Sequence, residues 1–165
     1  MNRLTALTLG GILLASLAGC SPSASPQASE QGAAASHHVI KFALPAHKTM
    51  PACEVLLQVP KDTAVPDAPD VHMALVNIAY LAVRSCPEAQ ETLKDRAVVE
   101  VPLAIKAGTA ALSQTPGDPI SQKIEPLPKG AQECVQKAIE TQKSPKTLSG
   151  LDAQLSVFVK LPEKS

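Results

Sequence analysis

Prolines are too frequent in this chain for a fold built of long helices. There are 15 of them among 165 residues, and each one removes a backbone donor and stops or bends a regular element. Between them lie short segments in which apolar and polar residues alternate with a period of two, as in half-buried strands, or recur at helical spacing. The prolines therefore predict short strands and helices that interleave along the chain.

Four segments are predicted strands, at residues 39–44, 54–59, 98–105 and 153–161. Pro102 lies inside the third of them. Because proline cannot donate a hydrogen bond to a neighbouring strand, we expect this strand at an edge of its sheet. Each strand has one polar face, which favours an antiparallel sheet over a parallel sheet that is buried on both faces.

Three further segments have helical periodicity, at residues 70–84, 87–94 and 131–139. Asp70 is the expected N-cap of the first. Residues 108–128 are rich in glycine, proline, serine and threonine, and we expect a long loop there with one short strand near residues 120–124. Together these elements predict an α+β fold, with a small antiparallel sheet and two main helices on one of its faces.

The first twenty residues have the composition of a secretion signal. Arg3 provides a positive charge, and residues 4–17 form an uncharged apolar run that is too short to span a bilayer. The run ends in Leu-Ala-Gly-Cys at residues 17–20, which resembles the lipobox of bacterial lipoproteins. The resemblance implies that Cys20 is acylated and becomes the mature N-terminus, anchored in a lipid bilayer. The alternative is an ordinary signal peptide that is cleaved elsewhere and leaves Cys20 unmodified.

The chain accordingly divides into a signal peptide at residues 1–19, a lipidated cysteine and flexible tether at 20–36, and a single α+β domain at 37–165. The tether has one charge and no large apolar side chain, so it cannot offset the entropy of becoming ordered. The resemblance implies a place in the bacterial cell envelope. A serine directly after the lipidated cysteine, as at Ser21, resembles the sequence of lipoproteins that are sent on to the outer membrane. There the domain would face the periplasm or the surface.

The composition of the chain argues against several classes of function. Positive and negative residues are equal in number, at 15 each, and form no block of like charge. The chain therefore offers no basic patch to which nucleic acid would bind. The carboxylates are scattered, and neither a nucleophile elbow nor a phosphate-binding glycine loop occurs. We therefore expect a binding or structural protein with no catalytic role and no cofactor.

Three cysteines follow the tether, namely Cys53, Cys86 and Cys134. In an exported protein two of the three are expected to form a disulfide, with one thiol left over. From the residues alone all three pairings stay open. A thiol-dependent enzyme that uses Cys53 or Cys134 is a further hypothesis.

A longer pattern surrounds two of these cysteines. Cys86 ends a predicted helix about a dozen residues before the strand at 98–105. The sequence Cys-Val-Gln-Lys-Ala-Ile at residues 134–139 opens the next helix, which is followed by Ser-Pro at 144–145 and by a strand at 155–161. This arrangement resembles the C-terminal domain shared by the gliding-motility protein AgmX and many delta-proteobacterial envelope lipoproteins, a TonB C-terminal-like module.

The resemblance implies a β-hairpin flanked by two helices that a disulfide between Cys86 and Cys134 holds together. It also implies a mode of binding, in which an exposed edge strand adds a strand from another envelope protein. We expect such an edge at Pro102 or at the C-terminal strand.

One segment has the composition of a metal site. His47, Met50 and Cys53 follow one another at three-residue spacing. The neighbouring candidate ligands are His37 and His38 before them and His72 and Met73 after them. Imidazole and soft sulfur ligands suit copper in exported proteins. In the alternative interpretation the segment is a surface loop between two strands, and its cysteine is buried or disulfide-bonded.

Overall fold

A computed structural model describes residues 37–115 and 123–162 of the chain. The predicted signal peptide, Cys20 and the tether lie outside these residues, as does most of the short strand predicted at 120–124. At the last two residues of that segment, which the structure describes, the backbone is not a strand.

The described residues form a five-stranded antiparallel sheet and three α-helices, which confirms the α+β fold. The strands are β1 (His37–Leu44), β2 (Cys53–Pro60), β3 (Val98–Lys106), β4 (Thr109–Leu112) and β5 (Ala153–Lys160). The helices are α1 (Pro69–Ser85), α2 (Pro87–Arg96) and α3 (Lys129–Glu140). Across the sheet the order is β1-β2-β5-β3-β4, and every neighbouring pair is antiparallel.

The core lies between the helices and one face of the sheet. Leu57, Val101 and Val157 from the three inner strands have no exposed surface, and Leu75 of α1 and Val135 of α3 belong to the same apolar cluster. In β3 every second residue is buried and the residues between are partly exposed. The period of two in the sequence therefore predicts correctly which face of this strand meets the helices.

β5 does not behave as the predicted one-sided edge strand. Ser156 and Phe158, on the face away from the apolar cluster, are only 3% and 4% exposed, and Ser156 Oγ donates a hydrogen bond to Glu100 Oε1 at 2.6 Å. β5 is the central strand, flanked by β2 and β3. The expectation that the C-terminal strand forms an edge is therefore wrong, because its position depends on pairing with distant parts of the chain.

The expectation that β3 lies at an edge is also wrong, although Pro102 has a physical reason for its position. β3 pairs with β5 on one side and with β4 on the other. Pro102 O accepts a hydrogen bond from Ser113 N–H at 2.8 Å, one residue beyond the last pair with β4, which joins Leu103 to Leu112. In an antiparallel strand the N–H and C=O of one residue point to the same side. The missing donor of Pro102 therefore faces the end of β4, beyond its last paired residue.

Helix α1 begins earlier than predicted. Pro69 occupies the first helical position and Ala68 is the N-cap, with no side-chain hydrogen bond, so Asp70 is not the capping residue. Proline suits this position because its missing N–H is one that the helix leaves unpaired. Asp70 lies in the first turn, where a carboxylate interacts favourably with the helix dipole.

A two-residue turn joins β3 to β4. Ala107 and Gly108 have φ angles of 49° and 80°, and two positive φ angles are what a type I′ turn needs. Gly108 also lies against the chain before β5, since a Cβ atom at this position would lie 2.5 Å from Leu148 O. Its N–H donates a hydrogen bond to Leu151 O at 2.9 Å. The glycine thus fixes both the turn and the approach to β5.

We expect Gly108→Ala to lower the free energy of unfolding by about 2 kcal/mol or more, because it adds left-handed strain and a steric clash. Gly130→Ala is the matched control. Gly130 lies in α3 with open space around the position of a Cβ, so alanine should leave stability unchanged or raise it by up to about 1 kcal/mol. Urea denaturation of the two variants measures the difference, and equal midpoints would contradict this account of the turn.

Candidate functional site

The two edges of the sheet are closed to different degrees. β4 is only four residues long, and α3 packs beside it. Ser113 N–H points towards β3, so the N–H of the preceding Leu112 points outward. It donates a hydrogen bond to Gln136 Oε1 on α3 at 3.0 Å. The helix thus covers this edge, which is one way in which proteins prevent the addition of another strand.

The edge at β1 is twice as long, and its hydrogen-bonding pattern follows from the registers. Successive residues of a strand direct their polar backbone groups to opposite sides. Pro102 directs its C=O to β4, so Val101 bonds to Val157 on β5. Because Val157 bonds to β3, it makes no bonds to Leu57, its partner on β2. Leu57 therefore directs its N–H and C=O to β1, where it forms a hydrogen-bonded pair with Ile40. The residues on either side of Ile40 therefore direct their N–H and C=O groups away from the sheet.

Val39, Lys41 and Ala43 are the residues that present these outward backbone groups. In the part of the chain that the structure describes, β1 pairs with β2 alone. Val39 is also one of two large apolar side chains in this part that are clearly exposed, at 47%. An uncovered strand edge of this length is a template for pairing with another extended chain.

The core-facing side chains of β1 are only half buried. Ile40, Phe42 and Leu44 pack against the apolar cluster without being enclosed by it. Helix α1 contacts β2 and β5, so it covers mainly the inner strands of the sheet. A strand added beside β1 would place its own apolar side chains next to these three and remove more of their surface from water.

A cavity of about 410 Å³ adjoins the end of this edge. Its walls include Phe42 and Leu44 of β1, Ala52, Cys53 of β2, and Pro162 after β5. The lining is mainly apolar, so it suits an apolar side chain. In strand addition, backbone bonds supply affinity while pockets for alternate side chains supply specificity.

The structure places the three candidate copper ligands in different surroundings. His47 is exposed at a tight turn whose backbone bonds join it to Met50, with distances of 2.8 and 2.9 Å. Met50 and Cys53 belong to the core, with 2% and 4% of their surfaces exposed. Among the described residues no group of three His, Cys, Asp or Glu side chains is arranged to hold a metal ion.

Cys53 is a buried free thiol. Its Sγ donates to Pro51 O at 3.3 Å, and burial raises the pKa of the thiol. The pKa of Tyr80 is raised by burial first and then by the neighbouring Cys53, while Arg84 opposes the shift. A protonated, buried thiol is a poor nucleophile, so the surroundings of Cys53 do not favour the thiol-enzyme hypothesis.

Cys86 and Cys134 form a disulfide, with their Cα atoms 5.8 Å apart. This confirms the pairing implied by the family resemblance. Cys86 is fully buried between α1 and α2. Cys134 lies in the middle of α3, which begins at Lys129, so the expectation that Cys134 opens this helix is wrong. Its sulfur is held in the disulfide, so Cys134 provides no thiol for the enzyme hypothesis. The bridge joins two separate parts of the helical layer.

Comparison with protein-family models, curated proteins and solved structures found no match to this chain. Of the helices in residues 37–115 and 123–162, none has the length and apolar character that crossing a bilayer requires. Sequence reasoning missed β1 as the open edge, because no local signal separates an edge strand from an inner one when both are apolar.

The alternation along β1 predicts a hydrogen-exchange pattern. The amides of Val39, Lys41 and Ala43 should exchange at least about tenfold faster than those of Ile40 and Phe42, which bond to β2. Residue-resolved exchange of the purified protein, followed by NMR, measures this. Equal protection of both sets would contradict the assignment of an open edge.

The disulfide predicts a loss of stability on its removal. Closing a loop of 48 residues contributes up to about 4 kcal/mol through the entropy of the unfolded chain, so Cys86→Ala combined with Cys134→Ala should lower the unfolding free energy by up to this amount. Reductant should lower the denaturation midpoint of the wild type and leave that of the double variant unchanged. A reductant-sensitive double variant would contradict the assignment.

Proposed function

We propose that this protein is a membrane-anchored lipoprotein of the bacterial envelope whose domain binds a partner protein by strand addition at β1. The observation that carries the proposal is the contrast between the two sheet edges. Val39, Lys41 and Ala43 direct their backbone groups outward from β1, whereas on β4 the outward N–H of Leu112 bonds to Gln136 of α3. Proteins normally protect long edges of this kind, so an open one is an interaction site.

The partner segment that suits this edge is an extended chain with alternating character. On the core side it would contact the half-buried Ile40, Phe42 and Leu44, which favours apolar residues at every second position. On the other side it would pass Lys41, which is exposed and has no ion pair among the described residues. An acidic residue opposite this lysine would add a favourable cross-strand pair.

Anchoring rests on the N-terminal sequence. The lipobox at residues 17–20 and the polar tether that follows it support a lipid anchor on Cys20. Labelling with fatty acid tests this anchor directly. In this proposal the bilayer holds the domain near a membrane surface, and the protein has a binding or structural role without catalysis. The serine at position 21 favours a location at the outer membrane, with the domain facing the periplasm or the surface.

Strand addition can be tested with a pair of proline variants. Lys41→Pro removes an outward N–H and leaves the bonds to β2 intact, whereas Ile40→Pro removes a bond to Leu57 and should destabilise the fold. Peptides selected from a random displayed library on the purified full-length protein serve as the probe. We expect Lys41→Pro to weaken their binding about tenfold or more, as the loss of one backbone bond in a ladder does.

Lys41→Ala is the control for this experiment, because it keeps the backbone donor and should retain binding within about threefold if only a surface ion pair is lost. Bound peptide should also slow exchange of the Val39 and Ala43 amides. Peptides that bind Lys41→Pro as well as the wild type, or that protect no β1 amide, would show that the site lies elsewhere.

The anchor is tested by Cys20→Ser. We expect the wild type to incorporate labelled fatty acid and to enter the detergent phase on phase separation, because several acyl chains anchor a protein stably. Cys20→Ser should lose both properties, while Cys53→Ser should keep them, since that cysteine is buried in the domain. Label retained by Cys20→Ser would exclude the proposed anchor.

A further inference from the structure

A second copy of this chain presents the same open edge as the first. Among the described strands β1 pairs with β2 alone, whereas at the other end of the sheet the N–H of Leu112 on β4 bonds to Gln136 of α3. Two copies that paired through β1 would therefore use both open edges, and the covered β4 edges would prevent further addition. Self-pairing at this edge closes at two copies and does not continue into a fibre.

The alternation along β1 limits the registers in which two copies can pair. Val39, Lys41 and Ala43 direct their backbone groups outward. In an antiparallel pair these residues must lie opposite outward-directed residues of the second copy, so that both can donate and accept. A symmetric pair then has its two-fold axis at one residue of this strand of eight residues. The side chains distinguish the possible positions of that axis.

An axis at Phe42 brings together the side chains that the fold leaves half buried. Phe42 then lies opposite Phe42 of the second copy, and on either side of this pair Ile40 lies opposite Leu44. All three pack beside the apolar cluster with part of their surface exposed. Because Phe42 bonds to β2, its pair across the interface has no hydrogen bonds, and the Cα atoms of such a pair are only about 4.5 Å apart. The apolar side chains of both copies would thus leave water together.

The same axis keeps like charges from lying directly opposite each other. On the outer face it places Lys41 opposite Ala43 of the second copy, and these residues form about four backbone hydrogen bonds across the interface. An axis at Lys41 would instead place two ammonium groups opposite each other, which is destabilising. An axis at Ile40 or at Ala43 would leave one of the three apolar side chains opposite a residue outside the second strand. The side chains therefore favour the axis at Phe42.

We propose that two copies of this chain pair through β1, antiparallel and with the two-fold axis at Phe42, and so join their five-stranded sheets into one. This pairing rests on the proposed function, since it uses the same open edge, and it names the partner as a second copy. Directly opposed residues lie on the same face of a sheet, so both helical layers cover one face. The interface is small and its pairing in solution is weak. Anchoring of both copies in one bilayer raises their effective concentration.

Cysteine cross-linking in membranes tests the register with the full-length chain. Lys41→Cys and Ala43→Cys are expressed together in one cell. In the proposed pair these two positions lie directly opposite each other with Cα atoms about 5.5 Å apart, within the range of a disulfide. In either variant alone the introduced cysteines are diagonal neighbours at about 7–8 Å, beyond that range. We expect oxidant to cross-link the mixture at least about fivefold more than either variant alone.

The wild type is the control for cross-linking, because its free Cys53 is buried and should give no cross-linked dimer. If Lys41→Cys alone cross-links as well as the mixture does, the axis lies at residue 41 and the proposed register is wrong. A mixture that gives no cross-linked dimer would overturn self-pairing through β1.

Sedimentation of the full-length protein in detergent measures the association itself. Lys41→Pro removes one interface N–H from each copy and should weaken self-association about tenfold or more. Met73→Gln is the matched control, because Met73 is also an exposed apolar residue, at 38%, but lies on α1. Its loss should leave the association unchanged. Equal association of Lys41→Pro and the wild type would place the contact elsewhere and overturn the proposal.

Peptide binding separates this pairing from the proposed function. A wild type that stays monomeric in detergent and in membranes, while selected peptides still protect the Val39 and Ala43 amides, would overturn pairing with a second copy and leave strand addition in place. A wild type that dimerises, with dimerisation lost in Lys41→Pro and no peptide found to bind, would support the second copy as the partner.

Discussion

The sheet depends on the insertion of β5 between β2 and β3. In the described chain the β1–β2 pair and the β3–β4 hairpin are joined to each other only through this last strand. Val157 lies between Leu57 and Val101, and all three are fully buried. Pairing of residues so far apart in sequence must first offset the entropy of closing long loops. The Cys86–Cys134 disulfide reduces part of that cost, because it lowers the conformational entropy of the unfolded chain.

The insertion of β5 also decides which strands become edges. With β5 at the centre, β3 gains neighbours on both sides, and the two ends of the sheet fall to β4 and β1. One end is short and capped by Gln136 of α3. The other presents outward backbone groups over the length of β1 beside half-buried apolar side chains. The binding proposal thus follows from the strand order, since the same β1 sequence in the middle of a sheet would have no free edge.

Local features of the fold could be predicted from the sequence, whereas features set by distant contacts could not. The alternation around Val101 identifies the strand and its buried face, and Pro102 correctly signals a missing ladder bond on one side. Neither reveals that β4 stops one residue short of this proline. The four residues of β4 are too few to show a period, and an alanine at φ 49° gives no hint of a turn. The edge at β1 depends on where β5 inserts, which no local pattern encodes.

The predicted tether directly precedes β1 in the chain, so the proposed anchor and the proposed binding edge are neighbours in sequence. Residue 36 joins His37, the first residue of β1, so a lipid anchor on Cys20 would hold the domain by the edge strand itself. A pull along the strand axis loads the eight β1–β2 pairs in shear, so that they resist together and not one after another. A partner strand added on the outer side of β1 would contribute a second set of backbone bonds to the strand that bears this load.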